Sequence, residues 1–225
     1  MRISVFFASR RIVCLLALIA LPWSAQFVAC RHQSSTPVLA AELKPIQLPQ
    51  PQTAAGLPLM QALAQRRTTR AFRDQPLPPQ TLSNLLWAAF GVNRPRTVKP
   101  GLGRTAPSAY NSQDIELDVV LAGGVYVYEA EANQLRPIAA GDLRGKVSQG
   151  DAAHAAVTLV YVAAVKDDFA QVDTGFIAQN VYLFAASEGL NAWFYTIHGP
   201  DVAAALKLPA ERQPLYAQSV GFPPQ

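Results

Sequence analysis

The densest group of ligand-binding side chains in the sequence lies within seven residues. The run reads Arg66, Arg67, Thr68, Thr69, Arg70, Ala71 and Phe72. Guanidinium groups bind phosphate oxygens through paired N–H donors, and short hydroxyls can fill the acceptor sites that remain. The run therefore predicts an anion-binding site. A basic run after a helix is also typical of a solvent-exposed helix end, where the helix dipole favours cations.

A second polar segment, Arg104–Gln113, stands directly before a predicted strand. Ser108, Asn111 and Gln113 offer hydrogen-bond donors and acceptors that suit a flat ring carrying carbonyls and ring nitrogens. Proline, serine and asparagine are also common turn residues, so this segment alone is consistent with an ordinary turn.

A third segment, Ala186–Trp193, lies where a predicted helix passes into a strand. Glu188 and Gly189 are its notable residues. Taken alone they are typical of a plain helix end, because glycine often follows the last helical residue.

The elements that must position these segments follow from hydrophobic periodicity. Helices are predicted at about 59–64 and 80–90, and a longer one is predicted from an Asp173 N-cap to about Glu188. Strands are predicted at about 115–121, 125–128, 157–165, 192–197 and 216–222. Adjacent antiparallel pairs combined with helices indicate an α+β fold.

In this order, the three segments resemble the nitroreductase family of FMN enzymes across about residues 57–222. The resemblance rests on the arginine run, on Pro107–Gln113, and on Asp173–Asn180 leading into Ser187–Leu190. It implies an α+β nitroreductase-like fold, with a central antiparallel sheet flanked by helices. It also implies a homodimer that holds two FMN sites at the subunit interface.

The resemblance further implies which residues contact the cofactor. They are Arg66, Arg67, Thr68, Arg70, Ser108, Asn111, Gln113, Glu188 and Gly189. The arginine run would hold the phosphate and ribityl chain, while Ser108 and Asn111 would reach the isoalloxazine from the partner subunit. Glu188 and Gly189 would lie along the ring, with a backbone N–H directed at flavin N5. No catalytic side chain is implied, because the flavin carries the chemistry.

The implied function is an FMN-dependent oxidoreductase. It would pass hydride or electrons from NAD(P)H through flavin N5 to a nitro, quinone or related small-molecule acceptor. Two alternatives stay open. One is an exported, non-catalytic protein with the same fold, and the other is a dehydrogenase of peptide-derived azolines, which the run Ala140–Arg144 favours.

Two features depart from the family pattern. Nitroreductases usually place a lysine or arginine near the C-terminus on the FMN phosphate, whereas this chain ends Val220–Gln225 without one. Arg94, Arg96 or Arg104 would be the substitutes. Export would also separate the protein from NAD(P)H, so an unknown periplasmic donor is the alternative.

The first 29 residues predict an export signal. Arg2, Arg10 and Arg11 form a positive region before an apolar stretch, Ile12–Pro22, that is too short to span a bilayer stably. Ser9–Val13 resembles a twin-arginine signal, and the general secretory route is the alternative.

The segment after the signal predicts an attachment to the membrane. Phe27–Cys30 resembles a lipoprotein box, which predicts a lipid anchor at Cys30, with ordinary peptidase cleavage as the alternative. Residues 30–56 are rich in Pro, Gln, Ser and Thr and predict a tether, so the folded domain is predicted at 57–225. The expected location is the periplasm, either free or as a membrane-anchored lipoprotein.

Bulk composition limits the classes of partner. The formal charge is +4, but removing the three leader arginines leaves 16 basic against 15 acidic residues. Binding a polyanion needs a large clustered excess of positive charge, so no nucleic-acid partner is expected. Half of the residues are hydrophobic and 15% are charged, which supports a sizeable core.

Overall fold

A computed structural model describes residues 43–94 and 102–225 of the chain. In chain order the elements are β1 (Ile46–Gln47), α1 (Leu59–Gln65), α2 (Pro79–Phe90), β2 (Val92–Arg94), β3 (Gly103–Arg104), β4 (Glu116–Leu121), β5 (Gly124–Glu129), β6 (Gln134–Ala140), α3 (Arg144–Val147), β7 (Val157–Ala164), α4 (Ala170–Ser187), β8 (Asn191–Thr196), α5 (Gly199–Leu206) and β9 (Arg212–Gly221). The predicted export signal, Cys30 and Arg96 lie outside the described residues. No helix in the described ranges combines the length and hydropathy needed to cross a bilayer.

A seven-stranded sheet forms the centre of the fold, in the order β1-β6-β5-β4-β7-β9-β8. Neighbouring strands in it pair antiparallel. Strand β7 lies between β4 and β9, and its nearly continuous apolar sequence is buried on both faces of the sheet. The predicted α+β class and the predicted central strand are therefore confirmed.

Helices cover both faces of this sheet. The apolar residues of α2 and α4 pack with Leu117, Leu159 and Tyr161 on one face. On the other face, α3 and α5 pack with Val120 and Val160. Because side chains alternate along a strand, one strand supplies both layers.

Glycines end two of the predicted helices as expected. Gly91 follows the last residue of α2, and Gly189 has a φ of +66°, in the left-handed region that favours glycine. The short elements β1, β2, β3 and α3 were not predicted from the sequence, and neither were two longer ones. The longer ones are β6, which contains Pro137, and α5, which begins Gly199-Pro200.

Part of the segment predicted as a tether is ordered against the sheet. Ile46 and Gln47 pair with Leu135 and Gln134 of β6, and Leu48 is buried. The Gln52 backbone N–H donates to Asn84 Oδ1 at 2.8 Å. Residues 43–56 thus pack against the domain that follows them.

The prediction that Asp173 caps α4 is wrong. The helix begins at Ala170, and the backbone N–H of Asp173 already donates to the Phe169 carbonyl. Asp173 is 1% exposed, and its carboxylate accepts a hydrogen bond from the Ala109 backbone N–H at 2.9 Å. Its role is to hold a distant loop against the first turn of the helix.

Helix α1 forms where it was predicted, but its large apolar side chains face away from the core. Leu59, Met60 and Leu63 are 62%, 74% and 43% exposed, and Ala62 is the buried residue of this helix. An exposed apolar group of this kind indicates a surface that another molecule covers.

One carboxylate is buried without a partner in the middle of the sheet. Asp118 is fully buried on β4, and within the described part of the chain neither of its carboxylate oxygens has a hydrogen-bond partner. Burial, reinforced by the charge of Glu116, raises the pKa of Asp118 to about 8, against the opposing effect of Arg212 and Arg136.

Candidate functional site

A cavity of about 460 Å³ opens beside the arginine run, bounded by the C-terminal half of α4 and the start of β8. We call it the arginine cavity. Its polar wall contains Gln65, Arg66, Arg67, Thr69, Tyr182 and Asn191. This volume lies within the range of about 300–1,000 Å³ that is common for small-molecule and cofactor sites.

Pairing with β8 fixes the arginine run. The backbone N–H of Thr69 donates to the Ala192 carbonyl at 3.0 Å, and Thr69 Oγ1 accepts from the Ala192 N–H at 3.1 Å. Asn191 Nδ2 donates to the Ala71 carbonyl at 2.7 Å. Phe72 then inserts into the apolar layer beneath the sheet. These contacts hold the backbone of the run beside the cavity.

Tyr182 organises the wall opposite this backbone. Its hydroxyl accepts the Phe194 backbone N–H at 2.9 Å and lies 3.0 Å from Thr68 Oγ1. The Arg66 guanidinium lies over the Tyr182 ring, 5.5 Å from the centroid. A cation over an aromatic face is stabilised by the ring quadrupole, so Tyr182 helps to orient Arg66.

The structure separates Arg70 from the cavity. Its guanidinium lies 5.3 Å from the centre of the Trp193 ring. Trp193 packs on the α5 layer of the sheet, whereas Tyr182 packs on the α4 layer. Arg66 and Arg67 line the arginine cavity and Arg70 does not. In the described part of the chain, no carboxylate forms an ion pair with any of the three arginines.

The turn after α4 divides two cavities. The Glu188 and Leu190 N–H groups donate to the Phe184 and Ala185 carbonyls at 3.0 and 2.8 Å, which closes the helix end. Gly189 lines the arginine cavity. Glu188 lines a second cavity of about 410 Å³, whose walls come from residues 52–57 and from α1, α2 and α4.

The 108–113 loop has an unusual backbone. Tyr110, Asn111 and Gln113 have φ values of 53°, 60° and 56°, although none of them is glycine. The Gln113 N–H donates to Ser108 Oγ at 3.0 Å, and Gln113 Nε2 donates to Asn111 Oδ1 at 2.9 Å. Left-handed conformations in ordinary residues persist only where the surrounding contacts impose them.

Arg104 belongs to this loop and not to the arginine cavity. Its Nε donates to Gln113 Oε1 at 3.0 Å, and its Nη1 donates to the Phe90 carbonyl at 3.1 Å. Burial lowers the pKa of Arg104, against the opposing effect of Tyr128 and Glu131. The amide of Gln113 and the guanidinium of Arg104 therefore shape the loop.

Within the chain, the loop and the cavity lie at opposite ends of α4. Asp173, in the first turn, holds the loop through Ala109, while Glu188 directly follows the last turn. These two residues are about 22 Å apart along the axis, at about 1.5 Å per residue. The structure thus brings Arg66, Arg67 and Gly189 together, and it places Ser108, Asn111 and Gln113 elsewhere.

Sequence reasoning missed several cavity residues. Tyr182 sits inside a regular helical pattern and has no local signal. Asn191 lies in the third segment, but its position at the start of a strand gave no reason to assign it to the site. Pro223 also lines the cavity, close to the chain end where the family pattern has a basic residue. Thr69 lines the cavity, whereas Thr68 was the threonine assigned to the cofactor from the sequence. The sequence gives no local reason to prefer one of these two threonines.

Comparisons with known proteins identify the family of this chain. The sequence model of the Nitroreductase family matches residues 63–222. A candidate nitroreductase of Methanocaldococcus jannaschii is 31% identical over 166 residues, which cover 64% of this chain and 80% of that protein.

Solved structures share the fold. The crystal structure of a candidate nitroreductase from Ralstonia eutropha JMP134 has a TM-score of 0.75 and 35% identity, covering 81% of this chain and 91% of that one. The Escherichia coli microcin synthetase McbBCD complex includes a chain with a TM-score of 0.59 and 21% identity, covering 80% and 79%. The second likeness shows the fold alone. The family match spans most of the chain, and on that basis the protein belongs to the nitroreductase family.

Proposed function

We propose that this protein is an FMN-dependent oxidoreductase that works as a homodimer and reduces nitro, quinone or related small-molecule acceptors. Family membership supports the broader class, an NAD(P)H-dependent oxidoreductase. The observation that carries the finer proposal is the arginine cavity, which combines cationic, hydroxyl and backbone groups beside the Gly189 turn.

The residues of the cavity fit a flavin mononucleotide. Arg66 and Arg67 supply charged forked donors for a terminal phosphate, without a competing carboxylate in the described chain. Thr69 adds a hydroxyl at the same wall, and Tyr182 adds an aromatic face. Pro223 contributes no charge, so among the described residues that line the cavity the two arginines would carry the phosphate.

The chemistry that bound FMN supplies is two-electron exchange between a donor and an acceptor. The chain's own groups would determine how favourable that exchange is. The Arg66 and Arg67 guanidiniums, together with the Gly189 backbone N–H, provide positive potential, which would favour an anionic ligand.

A second copy of the chain would complete the site. Val172 and Phe176 on α4 are 53% and 41% exposed. A Cβ built on Gly175 between them would meet no atom of the described residues within 4 Å outside its own turns of helix. Glycine inside a helix costs about 1 kcal/mol relative to alanine. Close approach by a second helix is a physical reason for that glycine.

Antiparallel pairing of two α4 helices accounts for the separated site residues. In such a pair, the N-terminal end of one helix lies beside the C-terminal end of the other. The 108–113 loop of one subunit would then face the arginine cavity of its partner. The exposed Leu59, Met60 and Leu63 of α1 would extend the same interface.

Location and electron donor are further parts of the proposal. Residues 1–29 would direct export, and a lipid at Cys30 would retain the protein at the membrane. The part of the 30–56 segment that precedes β1 would act as the tether. NAD(P)H is the donor that the family favours, and a periplasmic donor would replace it after export.

The test is the flavin content of the purified mature protein. We expect a bound flavin, extracted as FMN, that NAD(P)H or dithionite reduces and that a nitro-aromatic or quinone acceptor reoxidises. Arg66→Ala with Arg67→Ala should weaken FMN binding by at least about 100-fold, because two charged hydrogen bonds of about 1.5–3 kcal/mol each are lost together.

The matched control is Arg136→Ala. Arg136 is exposed on β6, far across the sheet from β8, and pairs with Glu129 at 2.7 Å. This variant should bind FMN like the wild type. A colourless wild-type protein that FMN fails to reconstitute would favour the non-catalytic alternative.

A further inference from the structure

Residues 43–57 precede the family-matched segment, which starts at residue 63, and yet they are built into the domain. Their first part pairs with β6, and Ser83 Oγ donates to the Pro49 carbonyl in their middle. Their last residue contacts the C-terminal end of α4. The Leu57 backbone N–H donates to Ser187 Oγ at 2.6 Å.

Gly56 allows this last contact to form. Its φ is +94°, a conformation that side-chain-bearing residues rarely adopt. A Cβ built on Gly56 would lie 2.5 Å from Ser187 Oγ and 3.8 Å from Glu188 Oε1. Both the backbone conformation and the available space therefore require glycine.

Ser187 is the last residue of α4, directly before the turn that separates the two cavities. On its far side this turn is open, since a Cβ built on Gly189 would meet no atom of residues 43–94 or 102–225 within 4 Å, apart from its chain neighbours. Contact with Gly56 and Leu57 thus supports a turn that has little packing around Gly189.

We propose that Gly56, Leu57 and Ser187 form a latch that positions the Glu188–Gly189 turn toward the cofactor. This inference rests on the proposed function, because the turn lines the arginine cavity assigned to FMN. Gly56 and Ser187 act here as positioning residues. Hydrogen bonds near a flavin tune its electronic properties, so a small displacement of the turn changes the relative affinity for oxidised and reduced flavin.

Two measurements on Ser187→Ala test the latch. The first is hydrogen exchange of the 188–191 backbone, which requires no flavin, and we expect faster exchange than in the wild type. The second is the midpoint potential of bound FMN. We expect the ratio of affinities for oxidised and reduced flavin to change about tenfold, which corresponds to about 30 mV for a two-electron couple.

Ser83→Ala is the matched control, because it removes another hydroxyl that holds the same segment but lies on α2. It should lower the melting temperature while leaving exchange at 188–191 and the midpoint potential unchanged. Ser187→Thr keeps the hydroxyl and should restore both readouts. If Ser187→Ala folds poorly, Gly56→Ala replaces it, because the added Cβ disrupts the same contact. Gly56→Ala should then show the faster exchange at 188–191 and the shifted midpoint potential.

The outcomes separate the two proposals. Equal effects of Ser187→Ala and Ser83→Ala on exchange and potential would overturn the latch while leaving the flavin assignment intact. A wild-type protein that binds no FMN would overturn the proposed function. In that case unchanged exchange at 188–191 in Ser187→Ala would overturn the latch as well.

Discussion

Replacing Asp118 by Asn is expected to remove a large pH dependence from the stability of this protein. The carboxyl group lies fully buried on β4 with both oxygens unpartnered, and burial raises its pKa from 3.8 to about 8. Between these two values the unfolded chain releases the Asp118 proton and the folded chain retains it. The free energy of unfolding therefore falls as pH rises.

The magnitude follows from proton linkage. Each pH unit between about 4 and 8 lowers the contribution of Asp118 by about 1.4 kcal/mol, so going from pH 5 to pH 7 costs about 3 kcal/mol. This contribution is fully present below about pH 4 and is lost as pH passes through about 8. Asparagine has a similar size and does not ionise in this range. Asp118→Asn should then gain stability relative to the wild type as pH rises.

Urea unfolding of both proteins at pH 5, 6 and 7, at one protein concentration, measures this difference. Asp151→Asn is the control, because Asp151 is an exposed carboxylate on a 3₁₀ turn. Its curve should run parallel to the wild type. Parallel curves for Asp118→Asn and wild type across this range would refute the reasoning, since they would mean that the folded protein holds Asp118 already ionised.

Three further predictions concern the site and its supports. Phe176→Asp should convert a dimer into monomers in analytical ultracentrifugation, because it puts a charge on the exposed apolar face of α4; an unchanged dimer would contradict the proposed interface. Asp173→Ala should lower stability by about 1–3 kcal/mol, because it leaves the Ala109 N–H without its acceptor; thermal unfolding checks this, and an unchanged melting temperature would contradict it. Tyr182→Phe should weaken FMN binding in a fluorescence titration and destabilise the fold, because the Phe194 N–H loses its partner; wild-type affinity would show that Tyr182 does not organise the cavity.

Periodicity was sufficient to predict the elements with strong local patterns. The alternation in β4 and the apolar run of β7 each identified a strand, and Gly189 marked the end of α4. Strand β6 was not predicted, because Pro137 and Arg136 interrupt any regular alternation of apolar and polar residues. Helix α5 was not predicted, because Gly199 and Pro200 at its start are more typical of a turn.

The site was harder to predict, since its geometry depends on long-range pairing. The contacts of the arginine run with distant aromatic residues determine which arginines share a cavity. Arg66 lies over Tyr182 on the α4 side of the sheet, and Arg70 lies over Trp193 on the other side. The role of Asp173 likewise depends on the loop that folds over it. Nothing in the local sequence shows that this carboxylate accepts the N–H of Ala109.

The short pairing of β1 with β6 matters for anyone who expresses this protein. A clone trimmed to the family-matched segment would lack residues 43–57 and would leave the Gln134–Leu135 end of β6 with bare backbone donors and acceptors. An uncovered rim of this kind recruits other chains into intermolecular sheets. We therefore expect such a clone to aggregate into inclusion bodies, because it lacks the strand that covers this edge. A soluble preparation should begin at or before Leu43.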